Sequence, residues 1–180
     1  MKKIIHKVFT AWHFEDEEKW INKMAAKGLN LTDVGVAKYV FEEGLPGEYQ
    51  YRVELLENLP THPESERYIR FMEEMGAEYV ASVSRWVYFR KKAEDEPFEL
   101  YSDMDSRVAH LRRINILLVF LFIFEVWAGV FNLVVGIAYG MAINVIIACI
   151  PLILALCIIP GIIRSVRKYR RLKREREIRE

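Results

Sequence analysis

The pattern of apolar and charged positions divides the chain into a mixed N-terminal part, an apolar block and a charged tail. Glu125 is the one acidic or basic residue between Arg113 and Arg164, whereas charged residues occur throughout the sequence on either side. A composition break of this kind indicates a change of solvent from water to lipid. The pattern predicts a soluble domain at 1–93, a linker at 94–113, an apolar membrane block at 114–163 and a basic tail at 164–180.

Within the soluble part, the periodicity of apolar residues predicts the order strand, helix, strand, strand, helix, strand. Two segments have apolar residues at helical spacing, and each ends at a glycine, Gly28 or Gly76. Glycine and proline at 43–48 predict a hairpin between the two central strands. The predicted strands are 3–12, 34–42, 49–57 and 79–91, and the predicted helices are 16–27 and 63–75.

This order is that of the ferredoxin-like βαββαβ fold, an α+β arrangement. Right-handed crossovers would place both helices on one face of a single four-stranded antiparallel sheet. Strand alternation then predicts which side chains face the helices, namely Tyr51, Val53, Leu55, Val87 and Phe89.

The opposite face of the predicted sheet would be open to solvent and would carry aromatic and basic side chains. Such a face could bind a protein, a small ligand or a second copy, or could hold ordinary cross-strand pairs. The residues of this possible interaction face are Tyr39, Arg52, Trp86, Tyr88 and Arg90.

The apolar block is long enough for a transmembrane hairpin, with spans at about 114–135 and 142–163. Basic residues flank both ends of the block and are missing from the turn, so the positive-inside rule predicts a multi-pass protein of the cell membrane with both termini in the cytoplasm. The basic N-terminus has too short and too interrupted an apolar run for a signal peptide.

Three polar residues lie inside the apolar block, at Glu125, Asn132 and Asn144. Glu125 would lie about 18 Å into the membrane, given a rise of 1.5 Å per residue. A carboxylate at that depth is costly and is a functional candidate by default. It could contact a partner protein or an asparagine of another copy, or be a neutral carboxyl that is hydrogen-bonded within the helix pair.

Basic residues next to the apolar block predict contact with anionic lipid head groups, worth about 1 kcal/mol for each residue near the surface. No nucleic-acid partner is expected, because the tail emerges directly from the membrane and the soluble domain is not strongly basic. The predicted lipid contacts are Arg112, Arg113, Arg164, Arg167, Lys168, Arg170 and Arg171.

Motifs of known chemistry are missing from the sequence. It has no glycine-rich phosphate loop, HExxH, CxxC or GxSxG, and its histidines are scattered. Cys149 and Cys157 lie in the apolar block, where they are expected to pack as small apolar residues. We therefore expect no catalytic residue, no metal and no cofactor.

Several motifs of the soluble part resemble the bacterial domain-of-unknown-function family 2812. They are EKWINKMAAKGL at 18–29, YQYRVE at 49–54, MGAEYV at 75–80, WVYFRK at 86–91 and YSDMDS at 101–106. The resemblance implies a small protein of the Bacillota with membrane spans, often encoded beside PadR-like regulators, and carries over no catalytic role. Many relatives have Trp in place of Leu29 and Ala77, which puts any site formed by those tryptophans in doubt.

Together these observations predict a non-enzymatic, membrane-anchored module that binds or senses a ligand or a protein. Its partners would be membrane lipids and a membrane or regulatory protein, or a second copy of the chain. Two alternatives are an accessory subunit of a transporter, with Glu125 against the larger partner, and an enzyme that acts on lipid head groups.

Overall fold

The computed structural model describes residues 2–93, residue 98 and residues 104–179. The chain divides into two compact units, with the boundary between Ser106 and Arg107. Most of the predicted linker, at 94–97 and 99–103, lies outside the described residues.

The N-terminal unit consists of two consecutive βαββ halves. In each half, the described residues form one three-stranded antiparallel sheet in which the last strand lies in the middle, with the orders β1-β3-β2 and β4-β6-β5. A 3-10 turn at Ala11–His13 precedes α1. The elements are β1 (Lys2–His6), α1 (Phe14–Ala25), β2 (Leu29–Gly35) and β3 (Lys38–Glu43), then β4 (Tyr49–Leu55), α2 (Pro63–Glu74), β5 (Glu78–Val83) and β6 (Trp86–Lys92).

The two halves repeat one another in detail. Gly28 and Gly76 follow α1 and α2 with φ of +78° and +84°. In each half the strand after the helix has a bulge three to five residues after this glycine, between Leu31 and Asp33 in β2 and between Tyr79 and Ala81 in β5. The N-terminal unit is therefore an internal structural repeat.

The α+β class is confirmed, but the single ferredoxin-like sheet is not. The predicted strands at 34–42 and 79–91 each contain a tight hairpin turn, and β3 and β4, predicted to pair, belong to different sheets. The turns place Ala37 and Ser84 at φ of +54° and +55°. Neither turn has the Asn-Gly or Asp-Gly pair that marks such hairpins in a sequence.

The sheet of the second half is covered on both faces. Val87 and Phe89 of β6 pack with Met72 and Tyr68 of α2, as predicted. The prediction that Val53 shares a face with Val87 and Phe89 is wrong, because Val53 pairs with Tyr88, and residues paired across strands share a face.

The other face of this sheet, which was predicted to be open, packs in a core shared with the first half. Tyr51, Val53 and Tyr88 lie there with Ile21 of α1 and Phe41 of β3. The prediction failed because it assumed one sheet with one covered face, whereas each half packs against the sheet of the other half.

Helix α1 closes the free edge of β4 with side chains. The Asn22 amide donates to the Tyr51 carbonyl (2.9 Å) and accepts from the Tyr51 N–H (2.8 Å). One turn earlier, the Glu18 carboxylate accepts from the Val53 N–H (3.0 Å). These bonds replace those of a neighbouring strand and protect the edge from pairing with another chain.

In the C-terminal unit, the described residues form two long helices, α3 (Met104–Ala138) and α4 (Ala142–Arg179). Both are long and apolar enough to cross a membrane, over Arg107–Ala138 and Ala142–Glu175. They contain the predicted spans, and α4 continues as a helix through the basic tail.

A close contact between α3 and α4 depends on a glycine. A Cβ atom at Gly129 would lie 2.6 Å from the side chain of Leu152. Small residues of this kind allow membrane helices to pack closely.

Candidate ligand-binding cleft

A cleft of about 280 Å³ lies in the N-terminal unit, between its two halves. The loop between β1 and α1 forms one wall, and the hairpin turns at 35–37 and 83–86 contribute from the two sheets. Five of the lining side chains are aromatic, namely Phe9, Phe14, Tyr39, Trp86 and Tyr88. Concave, mainly apolar sites with a few polar groups are where proteins bind small molecules.

The acidic residue of the cleft is Glu17, in the first turn of α1. Its side chain is buried, with 7% of the residue exposed. Tyr39 on β3 and Tyr88 on β6 donate their hydroxyl hydrogens to the same oxygen, Oε1, at 2.7 Å and 2.6 Å. The carboxyl thus joins a helix and both sheets, while Oε2 has no hydrogen-bond partner among the described residues.

Burial dominates the electrostatics of this cluster. It raises the pKa of the Glu17 carboxyl, and the bonds from Tyr88 and Tyr39 oppose that rise only in part. Burial and the neighbouring Glu17 also raise the pKa of both phenols, so each keeps its proton and remains a donor. The cluster therefore presents a desolvated acid that a positive charge would stabilise.

The aromatic walls are arranged around this acid in close pairs. The ring centroids of Phe14 and Trp86 are 5.9 Å apart, and those of Phe9 and Tyr39 are 6.3 Å apart. Beside them, the Lys7 ammonium lies 4.7 Å from the Phe9 centroid and 4.6 Å from the ring of Trp20. The aromatic faces here already hold one ammonium group of the chain itself.

Three residues of the predicted interaction face meet in the cleft. Tyr39, Trp86 and Tyr88 all line it, although the two tyrosines are 4% and 5% exposed rather than open to solvent. These positions were therefore identified as a group, but on an outer surface instead of between two halves.

The two arginines of the predicted face are held elsewhere. Arg52 forms an ion pair with Glu18 at 3.2 Å. Arg90 pairs with Glu78 at 2.7 Å and lies over the ring of Tyr49 at 4.3 Å from the centroid. Neither arginine lines the cleft.

Glu17 was missed in the sequence because it belongs to an acidic run that suits the start of a helix. The usable signal is its spacing: it lies four residues before Ile21, which is fully buried. Residues four apart share one face of a helix, so Glu17 continues the buried stripe of α1.

Among the described residues, no hydrogen bond joins the polar residues predicted inside the membrane to one another. The Asn132 amide donates to the carbonyl of Ala128 in its own helix at 2.8 Å. Glu125 and Asn144 are each half-buried.

The predicted lipid contacts lie on both helices. Arg171 forms an ion pair with Glu175 at 2.9 Å. Arg113 and Lys168 are half-buried, and the remaining residues of the set are exposed, at Arg112, Arg164, Arg167, Arg170 and Arg171. Within the described residues, no group of three or more His, Cys, Asp or Glu side chains could hold a metal ion.

Comparison with protein families finds one match, to the model described as a protein of unknown function (DUF2812), over residues 13–123. The match covers more than half of the chain, including most of both βαββ halves and the beginning of α3. No curated protein matches the chain, and no solved structure matches it.

Proposed function

The chain belongs to the DUF2812 family of proteins of unknown function, and we propose that it is a membrane-anchored binding module that senses a small ligand, not an enzyme. The ligand would occupy the cleft between the two βαββ halves. The two long apolar helices would anchor this domain as a multi-pass hairpin with both termini in the cytoplasm, where the basic flanks contact anionic lipids.

The observation that carries this proposal is the Glu17 carboxyl in the wall of an aromatic cleft. Glu17 lines the cleft, and its Oε2 is not one of the fully enclosed polar atoms that lack a partner, so this oxygen is accessible to a molecule in the cleft. Here both tyrosines donate to Oε1, and Oε2 has no partner among the described residues. A desolvated, incompletely paired acid among aromatic rings is characteristic of a binding site.

The proposal of a non-enzymatic role is supported by the same arrangement. The pKa values of the Tyr39 and Tyr88 hydroxyls are raised, and both hydroxyls donate hydrogen bonds to Glu17. Both effects make these hydroxyls poor nucleophiles. The cleft is therefore better suited to holding a molecule than to attacking one.

Filling the cleft with a larger side chain tests whether it binds a ligand. Ala11 lines the cleft, so Ala11→Trp should occupy part of its volume. Lys19→Trp, on an exposed position of α1, is the matched control. Full-length protein in a nonionic detergent would be screened for thermal stabilisation by small aromatic amines, carboxylates and alcohols.

We expect compounds that stabilise the wild type and the Lys19→Trp variant but not Ala11→Trp. If no compound stabilises the wild type, or if Ala11→Trp responds equally, the cleft is not a ligand site and the proposal is overturned.

A further inference from the structure

Resting on the proposed function, we propose further that the ligand of the cleft is an organic cation: a protonated or quaternary amine attached to a small apolar body. The cation would lie beside Oε2 of Glu17, and the apolar body would lie against the rings of Phe14 and Trp86. The side chains that line the cleft and would contact the ligand thus indicate its chemical class.

The first argument is the charge that the cleft leaves uncompensated. Glu17 is 7% exposed, and its hydrogen-bond partners among the described residues, the hydroxyls of Tyr39 and Tyr88, are neutral donors. Neutral donors stabilise a carboxylate less than a positive charge does, and a buried carboxylate is normally paired with one. A ligand cation would supply this missing partner.

The second argument is the composition of the walls. Aromatic faces carry negative charge density and attract ammonium groups, while their apolar area covers the rest of a ligand. The structure holds an example, since the Lys7 ammonium lies over the rings of Phe9 and Trp20 at 4.7 Å and 4.6 Å. Phe14 and Trp86, with centroids 5.9 Å apart, offer a second pair of rings.

The third argument concerns the anionic alternative. Lys7 also lines the cleft and is the one basic side chain among the described residues that line it. Its ammonium is engaged on Phe9 and Trp20, and an anion that reached it would share the cleft with Glu17. A cation, by contrast, would interact favourably with both the Glu17 carboxylate and the aromatic rings. The charge of the cleft thus favours a cation.

The volume limits the size of the ligand. At about 280 Å³ the cleft is slightly smaller than ordinary ligand pockets, which span about 300–1,000 Å³. A single ring with a trimethylammonium group is of suitable size, whereas a multi-ring compound is not.

The test uses three probes of one shape and different charge. Phenyltrimethylammonium is a permanent cation, N,N-dimethylaniline is nearly isosteric and neutral at pH 7.5, and benzoate is an anion. Their dissociation constants would be measured by isothermal titration calorimetry on the full-length protein in a nonionic detergent. The variants are Glu17→Gln, which keeps an acceptor for both tyrosines, and Glu15→Gln, which removes the same charge outside the cleft.

We expect phenyltrimethylammonium to bind the wild type and Glu15→Gln alike, and to bind Glu17→Gln at least about tenfold more weakly. N,N-dimethylaniline should bind weakly and with no dependence on Glu17. If Glu17→Gln does not fold, Trp86→Ala provides a second test, in which the affinity for the cation should fall while Glu17 is unchanged.

Two results would overturn the inference. If N,N-dimethylaniline or benzoate binds as tightly as the cation and Ala11→Trp abolishes that binding, the cleft is a ligand site but its ligand is not a cation. If none of the probes binds the wild type, the assignment of a cation fails, and a failed thermal screen would then remove the proposed function as well.

Discussion

Replacing Tyr88 by phenylalanine removes one of the two hydroxyls that hold the Glu17 carboxyl. The ring of Tyr88 stays in the shared core, and the 2.6 Å bond to Oε1 is lost. The substitution therefore isolates the hydrogen bond from the packing. Tyr79→Phe is the matched control, because the Tyr79 hydroxyl bonds Ser82 at an exposed position of β5.

The size of the effect follows from the charge of the acceptor. A hydrogen bond to an ionised group contributes about 1.5–3 kcal/mol to stability, against about 0.5–1.5 kcal/mol for a neutral pair. For a domain of about 100 residues, 1 kcal/mol shifts Tm by at least about 4 °C. We therefore expect Tyr88→Phe to lower Tm by about 6–12 °C at pH 7.5, and Tyr79→Phe to change it by only a few degrees.

The pH dependence of the stability that is linked to Glu17 has a definite sign. The pKa of Glu17 is raised in the folded protein, chiefly by burial. The stability linked to this group is fully present below its unfolded pKa and is lost as the pH rises through the folded pKa. Glu17→Gln should remove this loss, so its Tm relative to the wild type should rise as the pH increases from about 4.

Tyr88→Phe should behave differently over the same range. At about pH 4 the carboxyl is largely protonated, the lost bond is a neutral one, and the fall in Tm should shrink to about 2–6 °C. Tryptophan fluorescence in a Trp127→Phe background would follow the N-terminal unit, because Trp12, Trp20 and Trp86 all lie in it. An equal fall in Tm at both pH values would refute an ionised acceptor, and no fall at pH 7.5 would refute the bond.

Four further substitutions and one labelling experiment test other parts of the structure. Phe89→Ala should cost about 3–5 kcal/mol in thermal or chemical unfolding, because Phe89 is fully buried against α2, and a smaller cost would contradict that packing. Asn22→Leu should cost about 1–3 kcal/mol by leaving the Tyr51 N–H without its bond and the Tyr51 carbonyl with the bond from Arg52 alone, and unchanged stability would show that water replaces the amide. A single cysteine at position 2 or 178 of a cysteine-free protein should not react with an impermeant reagent added outside intact cells, and reaction would overturn the cytoplasmic placement of that terminus. Glu125→Gln should preserve and Glu125→Leu weaken any assembly measured by crosslinking in membranes, and equal behaviour of both would remove the interface role of this residue.

Local patterns in the sequence identified most elements of the N-terminal unit but not their pairing. The two helices were predicted close to α1 and α2 because their apolar stripes and terminal glycines are strong local signals. The hairpins at 36–37 and 84–85 were missed because Ala37 and Ser84 are unusual residues for a positive φ. Because those turns were missed, the eight elements were predicted as six, and the order of the six is that of the ferredoxin-like fold.

The candidate site was only partly accessible to sequence reasoning. Strand alternation correctly grouped Trp86 and Tyr88 on the face of β6 opposite Val87 and Phe89. What it could not supply is the second half of the repeat, which packs over that face and brings Glu17 to Tyr88 across a long stretch of chain. Such a contact depends on tertiary packing, for which the periodicity of a single element contains no information.

The side chains with which α1 covers the edge of β4 have a consequence for how the N-terminal unit unfolds. Loss of α1 would expose the backbone groups of Tyr51 and Val53 in the second half, as well as the core that both halves share. Opening of one half therefore destabilises the other, and hydrogen exchange should report a single cooperative unit in which α1 and β4 become exchangeable together. A fragment that begins after β3 would lack the cover on this edge and should aggregate or pair with foreign strands, even though it contains a complete βαββ sequence.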